Sequence, residues 1–216
     1  MNEVHLLIQI MFIPKYFELK DQKYILQIIK ENPFATLVSL SSRENSEPIA
    51  TQIPLLVDEN LKVLNGHIAY ANEQWKNIEG QSVLCIFAGA HSYISSSWYE
   101  EMPTVPTWNY LSVHVYGKWE KVTKQDEIIQ SLKELISTYE DSDSIYNFDQ
   151  LEPEYIDKMI KAIIPFRIKI ERIEAKAKLS QNHSKERREK VIRHLEQSDS
   201  ENDQTIGTWM RKFINR

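Results

Sequence analysis

Apolar residues recur along this chain at two intervals, and the interval changes name the elements. Between Asp21 and Glu31, Ile25, Ile28 and Ile29 share one side at helical spacing, and Asn32-Pro33 ends the pattern. Strand-like runs follow. Phe34 to Leu40 and Pro48 to Val57 read as strands joined by the polar turn Ser41 to Glu47, with further strands at Leu61 to Ala69 and Ser82 to Phe87. Leu111 to Val122 alternates, as does Pro165 to Ile173, where Phe166, Ile168 and Ile170 face away from Arg167, Lys169 and Glu171. Helical spacing returns in two places. Thr123 to Asp126 reads as a capping box ahead of Ile128, Ile129, Leu132, Leu135, Ile136 and Tyr139, and Glu154 to Ile163 follows Pro153, a favoured first-turn residue.

Six short strands with few helical crossovers predict a mainly β, mostly antiparallel barrel with peripheral helices, an α+β chain. Alternating strand–helix units are absent, which argues against a doubly wound sheet. Residues 1–10 read as an extension before a second plausible start at Met11, and the barrel is expected over 11–175. A basic loop and helix follow at 176–196. Residues 197–216 hold a polar linker, Gln197 to Gln204, and an amphipathic helix carrying Ile206, Trp209, Met210 and Phe213.

Composition narrows the classes. The 26 basic and 31 acidic residues give a net charge of -5, which excludes a uniformly basic nucleic-acid binder. The single cysteine, Cys85, forms no internal disulfide, excludes Cys-based zinc and iron–sulfur sites, and suggests a reducing, cytoplasmic home. No stretch approaches the ~20 apolar residues of a membrane span. The five glycines are too scattered for a GxGxxG or phosphate loop. Charge is uneven, however: Arg167 to His194 holds ten basic residues against four acidic ones.

Aromatic residues concentrate between Tyr70 and Trp119. Tyr70, Trp75, Tyr93, Trp98, Tyr99, Trp108, Tyr110, Tyr116 and Trp119 lie there, interleaved with His67, Asn72, His91, Thr107, Asn109 and His114. Aromatic walls with short polar neighbours suit a flat heteroaromatic ligand, and equally suit a Tyr- and Trp-rich core and dimer interface. His67, His91 and His114 lack metal-ligand spacing, no nucleophile elbow is present, and Cys85 sits in an apolar run as an inert thiol.

Several blocks carry a resemblance. They are Met11-Phe12-Ile13-Pro14, Asn32 to Val38, Gly66 to Asn72 with Trp75, His91 to Ser95 with Trp98-Tyr99, Val105-Pro106-Thr107-Trp108-Asn109-Tyr110, Val113-His114 with Gly117, and Lys178-Leu179-Ser180-Gln181-Asn182. In this order they resemble the PaiB family of FMN-binding split-barrel proteins, over Met11 to about Leu195. The resemblance implies a split β-barrel that dimerises and holds FMN between subunits. It also implies a negative transcriptional regulator, a repressor linked in bacilli to protease production and sporulation. The chain departs from the family pattern at Tyr70, Glu73, Ser96, Ala175 and Ala177.

Cofactor-binding candidates follow from the matched blocks. His67 and Asn72 flank a strand-to-helix transition. A helix starting near Asn72 would offer N–H groups to phosphate, with Trp75 beside it and Lys76 adding charge. Thr107, Trp108 and Asn109 open a strand and would face the ring edge. Lys178, Ser180 and Gln181 form a cationic, hydroxyl and amide set for phosphate or a ring oxygen. No catalytic residue and no metal ligand is singled out. Contact with DNA, if made, would use Lys185, Arg187, Arg188, Lys190 and Arg193. Two other readings share the same fold: a flavin-dependent oxidoreductase, and a barrel that works through protein contacts without the cofactor.

Overall fold

Residues 10–41, 47–76, 78–100, 103–141 and 143–215 are described by a computed structural model. The strands are β1 (Phe34–Leu40), β2 (Pro48–Pro54), β3 (Leu56–Val57), β4 (Val63–Ala69), β5 (Ser82–Ile94), β6 (Thr107–Lys121) and β7 (Ile163–Lys178). The helices are α1 (Gln22–Glu31), α2 (Gln125–Tyr139), α3 (Pro153–Lys161), α4 (Lys185–Glu196) and α5 (Glu201–Lys212). The strands form one sheet in the order β2-β1-β5-β6-β7-β4-β3. The pairs β1–β2, β1–β5, β3–β4 and β4–β7 are antiparallel. The fold is the expected one, mainly β with peripheral helices.

Two compact units divide the chain. The first draws its described residues from Met1–Glu31, Ala88–His114 and Glu174–Arg216, the second from Asn32–Phe87 and Val115–Ile173. The boundaries fall inside β5, β6 and β7, the three longest strands. In the first unit, α1 buries Ile25, Ile28 and Ile29, each contributing roughly 1.5–3 kcal/mol. Tyr24 meets Trp209 and Phe213 of the C-terminal segment, with ring centres 5.6 and 5.2 Å apart. In the second unit, Val122, Ile128, Leu132 and Phe148 form a small core under α2 and α3. Gly117 lets β6 approach β7, because a Cβ there would stand 2.3 Å from the Lys169 carbonyl oxygen.

The sequence expectations need several corrections. The run from Pro48 to Val57 breaks at Leu55 into two strands, so there are seven strands rather than six. β5 continues to Ile94, β6 starts at Thr107, and β7 runs from Ile163 to Lys178. Backbone pairing carries all three beyond their apolar alternation. The capping box at Thr123 does not form; the residue before α2 is Lys124, and it makes no side-chain cap. The expected linker at Gln197 to Gln204 already contains the start of α5, because Ser200 accepts from the Asp203 N–H and caps it. Residues 1–9 of the expected extension and residues 42–46 of the first turn lie outside the described residues.

Candidate functional site

The ten cofactor candidates fall into two groups, one in each unit. In the second unit the chain leaves β4 at Ala69 and makes a single 3-10 turn at Glu73–Trp75. The helix expected near Asn72 is therefore absent. One turn stacks too few peptide dipoles to present a positive end to phosphate. Asn72 is occupied structurally: its Oδ1 accepts from the Gln74 N–H at 2.9 Å and its Nδ2 donates to Thr51 Oγ1 at 3.0 Å. Gln74, missed from the sequence, is buried and donates to Leu37 O, Ser39 Oγ and Ile49 O, fastening the turn to β1 and β2. Trp75 donates its indole N–H to Tyr70 O at 3.0 Å, and Lys121 lies over its ring. Lys76 is exposed and ion-paired to Glu73 at 2.7 Å, which holds its ammonium in the charged form but screens it from any other anion. His67 is half-buried on β4, and burial lowers its pKa, so it is neutral at pH 7.

The first unit is arranged differently. Lys178, at the end of β7, donates to Thr107 Oγ1 and, at 2.5 Å, to Trp108 O. Both acceptors are neutral. Burial, and then the neighbouring charge of Lys176, lowers the Lys178 pKa. An ammonium disfavoured in this way gains most from an anion. Around it opens a cavity of about 250 Å³. Pro14, Tyr16, Phe17 and Val105 supply its apolar side, and Thr107, Lys178, Asn182 and His183 much of its polar side. Burial lowers the His183 pKa, helped by Arg187 and then Lys178, and its ring packs on Tyr99 at 4.6 Å.

Beneath the cavity lies a buried polar network. Asn109 is fully buried and donates to Ser180 Oγ at 3.1 Å, and Tyr99 OH shares a hydrogen bond with Ser180 Oγ at 3.1 Å. Ser180 has φ 62, a left-handed backbone that costs a non-glycine residue about 1–2 kcal/mol. These bonds hold it there. Gln181 closes its own turn: Leu179 N donates to its Oε1 at 2.7 Å, and its Nε2 donates to Ala177 O at 2.6 Å. Of the expected set, then, Lys178 and Thr107 present polar atoms to the cavity edge, Asn109 and Ser180 form its floor, and Gln181 is a structural stitch. Trp108 is 52% exposed, so it is not a core residue, and it packs against His91 and Tyr93. Pro14, Tyr16, Phe17, Val105, Asn182 and His183 went unread as site residues. Pro14, Val105 and Asn182 lie inside matched blocks, a usable signal, whereas nothing local marks the other three.

A larger cavity, about 520 Å³, lies in the second unit between β4, β7 and α2. Its wall carries Asp126, Glu127 and Glu134, and its Arg167 is already paired with Glu127. That charge repels phosphate.

The residues expected to meet DNA do not form a free basic row. Arg188 is 3% exposed and donates to Phe213 O at 2.7 Å and Ile214 O at 3.4 Å, so it ties down the chain after α5. It falls with Val191, Ile192 and Leu195 on the buried face of α4. Lys190 pairs with Glu100 at 3.1 Å, Lys185 donates to Asn215, Arg187 is half-buried, and Arg193 is exposed. Other bases of the same segment are also engaged. Arg167 and Lys169 have acidic partners, and Arg172 stacks on Tyr116.

A family model described as "Putative FMN-binding domain" matches residues 11–172. The chain belongs to this FMN-binding family. It is 38% identical over 210 residues to "Protease synthase and sporulation protein PAI 2" of Bacillus subtilis, covering 95% of this chain and 99% of that protein. The resemblance to the PaiB family is thereby borne out. Solved structures agree on the fold. The flavocytochrome Anf3 from Azotobacter vinelandii superposes with TM-score 0.60 at 16% identity, covering 76% of this chain and 72% of that one. A FAD and heme binding protein from Mycobacterium smegmatis gives 0.55 at 13%, covering 74% and 73%. At these identities the likeness is one of fold alone. No helix among the described residues is long and apolar enough to cross a membrane, and no cluster of His, Cys, Asp or Glu there suits a metal ion.

Proposed function

We propose that the chain binds FMN as a dimer and acts as a negative regulator of gene expression; its similarity to PAI 2, a protein whose name refers to protease synthase and sporulation, supports the regulatory part. The observation that carries the reading is Lys178: a partly buried ammonium bonded to neutral oxygens, at the edge of a cavity with aromatic and apolar walls. FMN is a flat ring with a phosphate tail, and this donor set fits it. Lys178 and Thr107 would hold its anionic or polar edge, while Tyr16, Phe17 and Val105 would cover apolar surface. Asn182 and His183 would supply further hydrogen bonds. When bound, the flavin supplies the redox chemistry, and the protein positions it.

Two features support a dimer. The cavity is smaller than the ~300–1,000 Å³ usual for a ligand pocket. Its surroundings also expose large apolar side chains: Phe12 at 83%, Val105 at 78%, and Tyr16 and Trp108 at more than half. Such a surface is normally covered by a partner. A second copy would supply the missing wall.

The test is a fluorescence titration of FMN with sedimentation velocity on the same samples. Saturable quenching at one FMN per chain, on a species of twice the chain mass, supports the reading. Monomer without quenching overturns it. For the regulatory role, transcript levels of secreted-protease genes should rise when the gene is deleted and fall back on complementation; unchanged transcripts would leave the protein a flavin binder without that role.

A further inference from the structure

Two buried charges at the end of β7 face polypeptide backbone. Glu174 is 6% exposed, and its carboxylate accepts from two successive amides, Ile10 N at 2.9 Å and Met11 N at 2.8 Å. Lys176, 8% exposed, donates to Phe12 O at 3.1 Å. Acid thus takes the N–H groups and base takes the carbonyl, and the Lys176 ammonium also lies over the Phe12 and Tyr110 rings, 5.8 and 5.2 Å from their centres. Burying either charge without these partners would be costly. The same segment is held at its far end by an antiparallel bridge between Glu18 and Lys176, by Leu19 N donating to Ala175 O at 2.9 Å, and by the burial of Phe17 and Leu19. Pro14 and Tyr16, between the two anchors, and Phe17 at the second form a wall of the Lys178 cavity. By strand alternation, Glu174, Lys176 and Lys178 share one face of β7.

We infer that Glu174, with Lys176, is a clasp that positions residues 10–17 as the removable wall of the flavin cavity, and so sets how fast the ligand leaves. The inference rests on the proposed flavin reading for its ligand, but not for the clasp. Glu174 does not line the cavity; it acts through the segment it holds. Loosening it leaves Lys178 and Thr107 in place and removes cover from one side. Dissociation should therefore speed up much more than association.

The test uses the full chain as wild type, Glu174→Gln and Met11→Pro. The second variant deletes one donated N–H without altering β7, and so covers the case in which Glu174→Gln fails to fold. Hydrogen exchange of the flavin-free proteins reads the clasp directly. Exchange across residues 10–12 should rise about tenfold in either variant, as expected for loss of a hydrogen bond to a charged group. Exchange in β1 and β2 should not change. Stopped-flow fluorescence should then show FMN leaving about tenfold faster, with association altered less than twofold. Lys178→Met should show the opposite split, weak FMN binding with normal exchange at residues 10–12. Unchanged exchange at residues 10–12 in folded variants overturns the clasp. Raised exchange with an unchanged FMN off-rate overturns its role in the cavity. If wild-type chain binds no FMN, the ligand reading fails, and the exchange result alone decides the clasp.

Discussion

Two lysines of the candidate set, Lys76 just after the matched Trp75 and Lys178 at the head of its own matched block, end in opposite electrostatic situations. Lys76 in the second unit stands in water with Glu73 against it. Lys178 in the first unit is partly buried and bonded to a hydroxyl and a carbonyl. The difference teaches that a cation near a plausible phosphate position means little until its partners are known. A paired surface lysine is already neutralised, and such pairs are typically worth 0–1 kcal/mol. A half-buried lysine with neutral partners is disfavoured in its charged state, and an anion relieves that.

Breaking the stronger side has the largest expected effect. Lys178→Met should weaken FMN binding about 10- to 100-fold by isothermal titration calorimetry, the range for a charge-assisted hydrogen bond. An affinity within threefold of wild type would remove Lys178 from the site.

The floor beneath Lys178 comes next. Asn109→Ala would leave Ser180, already in a left-handed conformation, without one of its two partners in a buried place. A loss of about 2–3 kcal/mol in urea unfolding is expected. Tyr99→Phe removes one hydroxyl from the same network and should cost about 1 kcal/mol. If both cost nothing, the network does not hold the floor.

Acid should weaken the fold. His67, His114 and His183 all have pKa values lowered by burial from the ordinary 6.5. The unfolded chain therefore binds more protons than the folded one below about pH 6.5, and stability rises with pH through that window. It is fully present above 6.5 and falls as pH drops toward the lowered values. Thermal melts at pH 7.5 and 5.5 should show this, and His67→Gln should flatten the slope. A pH-independent melting temperature would contradict the burial of these rings. The smallest effect belongs to Lys76→Met, which should change FMN affinity less than twofold.

Much of the fold was legible because half-buried strands write their own pattern. Phe34–Leu40 matched its predicted bounds, since Ala35, Leu37 and Ser39 face inward in alternation. Two kinds of feature were not legible. The first is backbone pairing without apolar alternation: β5 runs on through His91 and Ser92, where nothing in the side chains demands a strand. The second is partner choice. Lys76 has its acid, Glu73, three residues away in the sequence, whereas only tertiary placement gives Lys178 a hydroxyl and a carbonyl from Thr107 and Trp108. The burial of Arg188 was legible as well, because its spacing to Val191, Ile192 and Leu195 marks a buried face. The turn at Glu73–Trp75 was expected to open a helix after a strand, but Gly80, at φ 68, follows too soon for a stable helix to develop.

The central comparison can be tested in one experiment: FMN fluorescence titrated at low phosphate against wild type, Lys178→Met and Lys76→Met side by side. Saturable quenching by wild type and Lys76→Met, with the curve for Lys178→Met displaced at least tenfold, is the predicted result. Equal displacement in both variants, or no saturable quenching by wild type, would contradict it.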